Sequence, residues 1–403
     1  MTSPNCRLLQ LIPTGLSIFL LTKDKNMKTL LSVFAFLTKR FFFLTPFLLL
    51  IFFISFLFIS CKKGSSETVE HPSFSDVTPV GVTHLSSGRT DMAAATIGNK
   101  MFFAGGFDSS GASDRVDIFD ANTASWSTAQ LSAKRVYLAA TTSGSKVFFA
   151  GGLDGSIASN VVDVYDTSSK AWSVMQLSEA RFGLCAASAG GKVAFAGGRT
   201  DLASSKTVDI YDVASGRWSL AQLSEARWTP AAASAGTKIF FAGGLAYSDT
   251  SSKVSKVVDI YDVATNSWTT AQLSEARSNL TAASTGTKVF FGGGEAASGP
   301  SKTVDMYDGS ATLWRTIRLS VARGDLTAVG IANKVLFAGG DGLGDFFDTV
   351  DIYDTTFDVW RTSQLSRART GMSCAAAGKT ILIAGGACLD GACNVVDIFS
   401  LDR

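Results

Sequence analysis

A Gly-Gly pair that ends a short apolar run recurs seven times along the 403-residue chain, and it constrains the fold more than any other feature. The pairs are Gly105–Gly106, Gly151–Gly152, Gly197–Gly198, Gly243–Gly244, Gly293–Gly294, Gly339–Gly340 and Gly385–Gly386. Successive pairs are 46 residues apart except once, where the separation is 50. Each pair ends a short apolar run such as FFAGG, and a V-D-hydrophobic-aromatic string follows it. A fixed period of about fifty residues with strand-like content predicts a repeat array.

The third copy shows what one repeat contains. Turn residues divide it into four short segments: Leu184–Ser188, Lys192–Ala196, Thr207–Tyr211 and a last one that begins at Trp218. Such runs are too short for helices, and no helical period runs through them. Each repeat is therefore predicted to form four β-strands.

Two further positions of the repeat are aromatic, and they complete a known pattern. The first position is Phe119, Tyr165, Tyr211, Tyr261, Tyr307, Tyr353 or Phe399. The second, seven residues later, is Trp126, Trp172, Trp218, Trp268, Trp314 or Trp360. An apolar run with Gly-Gly, then V-D-x-Tyr-Asp, then this Trp resembles the kelch repeat. The resemblance covers residues 78–403 and implies an all-β, seven-bladed kelch-type β-propeller with four antiparallel strands per blade.

The ends of the array predict how the propeller closes. The seventh copy lacks a fourth strand, whereas the first copy has a surplus segment, Val80–Thr83, before its first strand. We expect this N-terminal segment to complete the last blade and close the ring, which removes the open edges of the array.

The first 60 residues differ from the rest. Residues 41–60 carry no charge, follow Lys39-Arg40, and are followed at once by Cys61-Lys62-Lys63. This pattern resembles a bacterial lipoprotein signal, in which Cys61 would be lipidated; an uncleaved N-terminal membrane anchor and another export signal remain open. The predicted organisation is a targeting segment over 1–60, a polar tether over 61–76 and the propeller over 77–403. The predicted location is the bacterial cell envelope, on the periplasmic or cell-surface side, with Met1 and Met27 both open as the start.

Composition excludes several functions. Residues 61–403 carry 30 basic and 33 acidic residues, so a basic nucleic-acid footprint is absent. The only histidines are His71 and His84, and no phosphate-binding loop is present, so we predict no metal site and no cofactor. Cys388 and Cys393 are close enough in sequence for a local disulfide in an oxidising compartment.

One face of a propeller would carry the loops between strands two and three together with the connections between blades. These loops vary among the copies, so we call this the mouth face and expect recognition there. It also carries an arginine in every copy: Arg89, Arg135, Arg181, Arg227, Arg277, Arg323 and Arg369. The resemblance implies that such arginines point to the channel mouth, where they could capture carboxylates. The alternative is a framework role, paired with the repeated Asp117, Asp163 and Asp209 series.

One tryptophan and two tyrosines lie outside the repeat pattern: Trp228, Tyr137 and Tyr247. All three fall on the predicted mouth face, and Tyr247 lies in the only enlarged loop. Surplus aromatic residues on a concave rim are typical of binding hot spots. Together with the seven arginines they are the candidate ligand-binding residues.

We therefore predict an exported, membrane-tethered, monomeric binding module for an unknown protein or acidic ligand. An enzymatic role is the less favoured interpretation. The alternative is a cofactor-free sugar-acid (sialic acid) mutarotase, since some exported kelch proteins have this activity. Its acid and base would come from Glu295, Asp341, Asp325 and Asp91, which lie near the predicted mouth face.

Overall fold

The computed structural model describes residues 76–248 and 251–402, and every regular element in these ranges is a β-strand. Seven four-stranded antiparallel sheets form, one for each repeat. The innermost strands of neighbouring sheets contact each other around a closed circle. The fold is thus the predicted seven-bladed β-propeller.

The predicted targeting segment, Cys61 and nearly all of the tether lie outside the described residues. In the part of the chain that the structure describes, no helix could span a membrane.

Two inner strands begin each blade, and a two-residue turn joins them. Numbered along the chain, they are β2 (Ala93–Ile97) and β3 (Lys100–Ala104), β8 (Ala139–Ser143) and β9 (Lys146–Ala150), β14 (Cys185–Ala189) and β15 (Lys192–Ala196), β18 (Ala231–Ala235) and β19 (Lys238–Ala242), β24 (Thr281–Thr285) and β25 (Lys288–Gly292), β30 (Thr327–Ile331) and β31 (Lys334–Ala338), and β36 (Ser373–Ala377) and β37 (Thr380–Ala384). The first strand of most pairs is rich in alanine, which suits the narrow centre of the ring where the blades converge.

Two outer strands complete each blade. They are β6 (Arg115–Asp120) and β7 (Ser125–Gln130), β12 (Val161–Asp166) and β13 (Ala171–Gln176), β16 (Thr207–Asp212) and β17 (Arg217–Gln222), β22 (Val257–Asp262) and β23 (Ser267–Gln272), β28 (Thr303–Asp308) and β29 (Leu313–Arg318), β34 (Thr349–Asp354) and β35 (Val359–Gln364), and β40 (Val395–Leu401) and β1 (Val77–His84). The third strand of a blade is buried along most of its length, whereas the fourth strand is mostly exposed and only two of its residues, including the repeated Trp, are half-buried.

The seventh blade combines both ends of the described chain. Strand β1 runs antiparallel to β40, with Val77 opposite Leu401 and His84 opposite Val395. The predicted closing segment, Val80–Thr83, lies inside β1. The predicted closure of the last blade is confirmed.

Small hairpins rise from the loops between the second and third strands of six blades. They are β4 (Phe107–Asp108) and β5 (Gly111–Ala112), β10 (Leu153–Asp154) and β11 (Ile157–Ala158), β20 (Leu245–Ser248) and β21 (Ser251–Val254), β26 (Glu295–Ala296) and β27 (Gly299–Pro300), β32 (Asp341–Gly342) and β33 (Asp345–Phe346), and β38 (Ala387–Cys388) and β39 (Gly391–Ala392). The third blade has an irregular loop at this place, held by a bridge between Arg199 and Ser204. The enlarged loop of the fourth repeat forms the longest of the hairpins.

The core lies between blades rather than inside them. In one such layer the ring of Phe148 in blade two lies 5.8 Å from that of Tyr211 in blade three, and Trp218 lies 5.0 Å from Tyr211. Every buried apolar cluster spans two neighbouring blades in this way. A blade cannot leave its neighbour without exposing these rings to water.

Candidate functional site

The seven repeated arginines are all fully buried, and each pairs with the repeated aspartate of its own blade. In blade three, Arg181 Nη1 donates to the carbonyl oxygens of Gly197 and Thr207, both at 2.7 Å, while Nη2 contacts Asp209. The other carboxylate oxygen of Asp209 accepts the backbone N–H of Ser178 at 2.9 Å. The arginine and aspartate thus fasten the connection between two blades to the third strand of the second.

This arrangement corrects the expectation of a cationic ring at the channel mouth. Burial and the aspartate keep each guanidinium inside the framework, so the structural alternative describes the seven arginines. Burial lowers the pKa of the arginines, against the opposing effect of the aspartates.

A cavity of about 550 Å³ opens at the centre of the mouth face. Its inner ring is one residue from each blade, two positions after the buried arginine: Asp91, Tyr137, Gly183, Thr229, Asn279, Asp325 and Gly371. All seven have φ between 45° and 61°. A β-branched residue such as Thr229 rarely adopts this left-handed backbone, and strained residues of this kind cluster at functional sites.

Backbone hydrogen bonds connect the inner ring from blade to blade. The N–H of Asp91 donates to the oxygen of Gly371 at 2.9 Å, and that of Gly371 donates to Asp325 at 3.2 Å. On the other side, Thr229 donates to Gly183 and Gly183 to Tyr137, both at 2.9 Å. The backbone is therefore common to the blades, while the seven positions hold five different residue types.

Carboxylates concentrate on one side of this mouth cavity. Asp91, Asp325 and Asp341 line it, and Glu295 lies beside them, since a Cβ placed on Gly324 would be 2.6 Å from Glu295 Oε1. Among the described lining residues there is no lysine or arginine. This side of the cavity thus carries uncompensated negative charge.

The pKa of Asp325 is raised to about 7. Removal from water is the largest cause, followed by repulsion from Asp341, Asp91 and Glu295; the amide of Asn279, 3.4 Å away, opposes the rise only weakly. Burial also raises the pKa of Asp91, Asp341 and Glu295. Mutual repulsion in a concave, partly dry site has this effect on carboxylates.

Aromatic residues form the opposite side. Tyr137 and Trp228 line the cavity, and Tyr137 is 44% exposed. Gly183 lies between them, and a Cβ there would be 2.1 Å from Trp228 Nε1, so only glycine leaves room for the indole. Two of the predicted surplus aromatic residues therefore face one cavity.

The third, Tyr247, lies at the rim and packs on a side chain that the sequence analysis did not single out. The guanidinium carbon of Arg199 is 4.4 Å from the centre of the Tyr247 ring. The rings of Phe182 and Trp228 are each 5.9 Å from the same carbon. We call these four residues the rim cluster.

The cysteines in the described part of the chain are either joined in a disulfide or packed within the protein. Cys388 and Cys393 are joined in a disulfide across the hairpin β38–β39, with Cα atoms 6.0 Å apart. Asp390 lies near both sulfur atoms, but sulfurs that are bonded to each other cannot ligate a metal as thiolates. Cys185 and Cys374 are surrounded by protein, and burial raises the pKa of both thiols to about 12.

The mutarotase alternative is not favoured by this geometry. A sugar acid would need a cation to hold its carboxylate, and the described lining of the mouth cavity offers carboxylates instead. The candidate acids Asp91, Asp325, Asp341 and Glu295 do come together, but they repel an anionic substrate.

Comparison with known proteins agrees with the fold. Residues 88–130 and 134–176, which contain most of blades one and two, match the family model described as Kelch motif. Together with the seven four-stranded sheets, this supports a kelch-repeat β-propeller. No curated protein matches the chain at a significant level.

The sequence interpretation named three members of the inner ring separately but did not recognise the ring as a set. It did not name Arg199 as a functional candidate. The signal was present: aligning the seven copies on their buried arginine shows Asp, Tyr, Gly, Thr, Asn, Asp and Gly two positions later. Arg199 similarly stands directly after its Gly-Gly pair, where the other copies have Phe, Leu, Leu, Glu, Asp and Ala.

Proposed function

We propose that this kelch propeller is a protein-binding module of the bacterial cell envelope that recognises its partner through the mouth face. Kelch propellers commonly serve as protein-binding modules. One observation carries the choice of face: at the mouth, side chains differ from blade to blade while the backbone and the buried arginine–aspartate pairs repeat. Variation on an invariant framework is what recognition requires.

The same proposal places the propeller outside the cytoplasmic membrane, tethered by lipid on Cys61 or by an uncleaved N-terminal anchor. The sequence pattern at residues 39–63 supports export. The disulfide of the last blade is also of a kind that persists in oxidising compartments.

Trp228→Ala tests the binding face. Trp228 lies where the mouth cavity meets the rim cluster, so removing its ring should weaken capture of an envelope partner by about 2 kcal/mol or more, roughly thirtyfold. The measurement is crosslinking and affinity capture from native membranes, followed by titration of the captured protein.

Phe357→Ala is the matched control, because Phe357 is an exposed ring (39%) in the turn between β34 and β35, on the opposite face. It should leave capture intact. Equal capture by both variants and the unaltered chain would overturn the mouth-face assignment.

A further inference from the structure

The rim cluster holds one arginine between three aromatic rings of two blades. Phe182 and Arg199 belong to blade three, whereas Trp228 and Tyr247 belong to the start and the hairpin of blade four. Phe182 and Trp228 meet edge to face, with ring centres 6.1 Å apart. The guanidinium of Arg199 therefore packs on aromatic faces, which restricts its motion.

Backbone contacts fix the cluster further. Arg199 and Phe182 exchange N–H···O hydrogen bonds of 2.8 and 3.0 Å. Ser204, in the same irregular loop, accepts the N–H of Tyr247 on its Oγ at 3.0 Å, and its own N–H donates to the oxygen of Tyr247. The loop of blade three and the long hairpin of blade four thus support one rigid rim.

Arg199 differs from the framework arginines in its lack of polar partners. Within the described residues its guanidinium has no ion pair and no hydrogen bond, whereas each framework guanidinium is paired with an aspartate. The Nε of Arg199 is buried without a partner, as it also is in the framework arginines. Arg199 as a whole is only half-buried. A guanidinium held in place with its donors unused is prepared to bind a planar anion with two parallel hydrogen bonds.

We propose that the rim cluster is the docking point for a carboxylate on an acidic segment of the partner protein. Arg199 takes the carboxylate, and the rings of Phe182, Trp228 and Tyr247 contact the apolar atoms around it. Arginine, tryptophan and tyrosine are the residues that most often dominate binding energy at protein interfaces. This inference rests on the proposed function and adds the chemistry of the partner.

The charges of the mouth face favour this placement. The carboxylates of Asp91, Glu295, Asp325 and Asp341 belong to blades one, five and six, and Arg199 belongs to blade three. An acidic segment is repelled from the first side and attracted to the second, which sets its orientation on the face.

The test uses two pentapeptides with acetylated N-termini and amidated C-termini, Gly-Glu-Glu-Tyr-Gly and its neutral counterpart Gly-Gln-Gln-Tyr-Gly, titrated into the full chain by calorimetry and followed through the Arg199 Nε–H signal in NMR. We expect the acidic peptide to bind at least tenfold more tightly than the neutral one, and to weaken as salt is raised. Absence of binding by the acidic peptide, or equal affinity for the two, would overturn the proposal.

Variants locate the effect. R199Q should reduce the affinity for the acidic peptide at least tenfold, and R199K should not restore it, because an ammonium lacks the two-pronged geometry. R217Q removes an exposed arginine from the outer strand β17 of the same blade and should bind like the unaltered chain. Full discrimination between the peptides by R199Q would refute the role of Arg199.

The two variants separate a failure of the carboxylate docking point from a failure of the proposed mouth-face binding. If Trp228→Ala loses the envelope partner while R199Q keeps it, the mouth face remains the binding face and only the carboxylate docking point is wrong.

Discussion

Asp325 illustrates that equivalent positions of the repeat hold different residues in different chemical surroundings. Two positions after the buried arginine, blade three has Gly183 and blade four has Thr229, whereas blade six places a carboxylate among three others. The framework tolerates all of them because the left-handed backbone is held by hydrogen bonds between blades. The chemistry of the mouth is therefore set residue by residue.

Asp325→Asn should make folding less sensitive to pH. The folded pKa of about 7 lies above the ordinary value near 4, so the folded protein keeps a proton that the unfolded chain releases, and stability falls as pH rises between these values. From pH 5 to pH 8 the unaltered chain should lose on the order of 1 kcal/mol relative to the variant, since solvent reaches the carboxyl and screens part of the effect. Denaturant unfolding at both pH values measures this.

Asparagine suits the test because it accepts the φ of 45° at this position. Asp345→Asn, at an exposed aspartate in the hairpin of the same blade, is the control and should follow the unaltered chain. If the unfolding free energy of Asp325→Asn changes from pH 5 to pH 8 as much as that of the unaltered chain, the carboxylates of the mouth do not interact as described.

Strand β16 contains two aspartates, of which one is buried and the other is partly exposed to water. Asp209 is buried with Arg181, whereas Asp212, at the end of the same strand, pairs with Lys192 where both side chains reach water. The lysine is the first cause that lowers the pKa of Asp212, to about 2. One strand thus contains both an internal fastening and a surface ion pair.

Asp209→Asn should cost about 3 to 5 kcal/mol of unfolding free energy, because it leaves the guanidinium of Arg181 buried without a counter-charge. Asp212→Asn should lower the melting temperature far less, since water replaces the lost carboxylate. Calorimetric melting of the two variants gives the comparison. Similar losses for both would mean that the buried pair does not fasten the blades.

Elements of the fold follow from local sequence to different degrees. The strands of the third repeat were predicted to within one residue, as with Thr207–Tyr211 against the observed Thr207–Asp212. Turn residues and short apolar runs determine these bounds, so local sequence suffices. The hairpins on the mouth face were expected only as varied loops, because strands of two to four residues are too short to carry a periodic signal.

At the scale of the whole molecule, the ring joins positions that are far apart in sequence. Strand β1 meets β40 across more than 300 residues, and the mouth cavity collects one residue from each blade. The propeller therefore acts as a single body, and the proposed location in the cell envelope rests on the sequence pattern before it.

Cys61→Ser tests the proposed location in the cell envelope. If the lipoprotein reading holds, the unaltered full chain incorporates labelled palmitate and appears in the membrane fraction, whereas Cys61→Ser loses the label and changes in mass. Cys6→Ser, in the predicted targeting segment, is the matched control. A Cys61→Ser protein that stays in the membrane at unchanged mass would favour the uncleaved anchor.

The sequence by itself determined the number of blades, the closure by the N-terminal strand and the face on which loops vary, because a regular repeat with its own turns carries this information locally. Only the tertiary structure decided what the repeated arginines do, since burial of Arg181 depends on Asp209 and on the turn from the preceding blade. It also brought Arg199 between Trp228 and Tyr247, residues of the next repeat. Contacts between blades depend on ring closure, and no single repeat contains them.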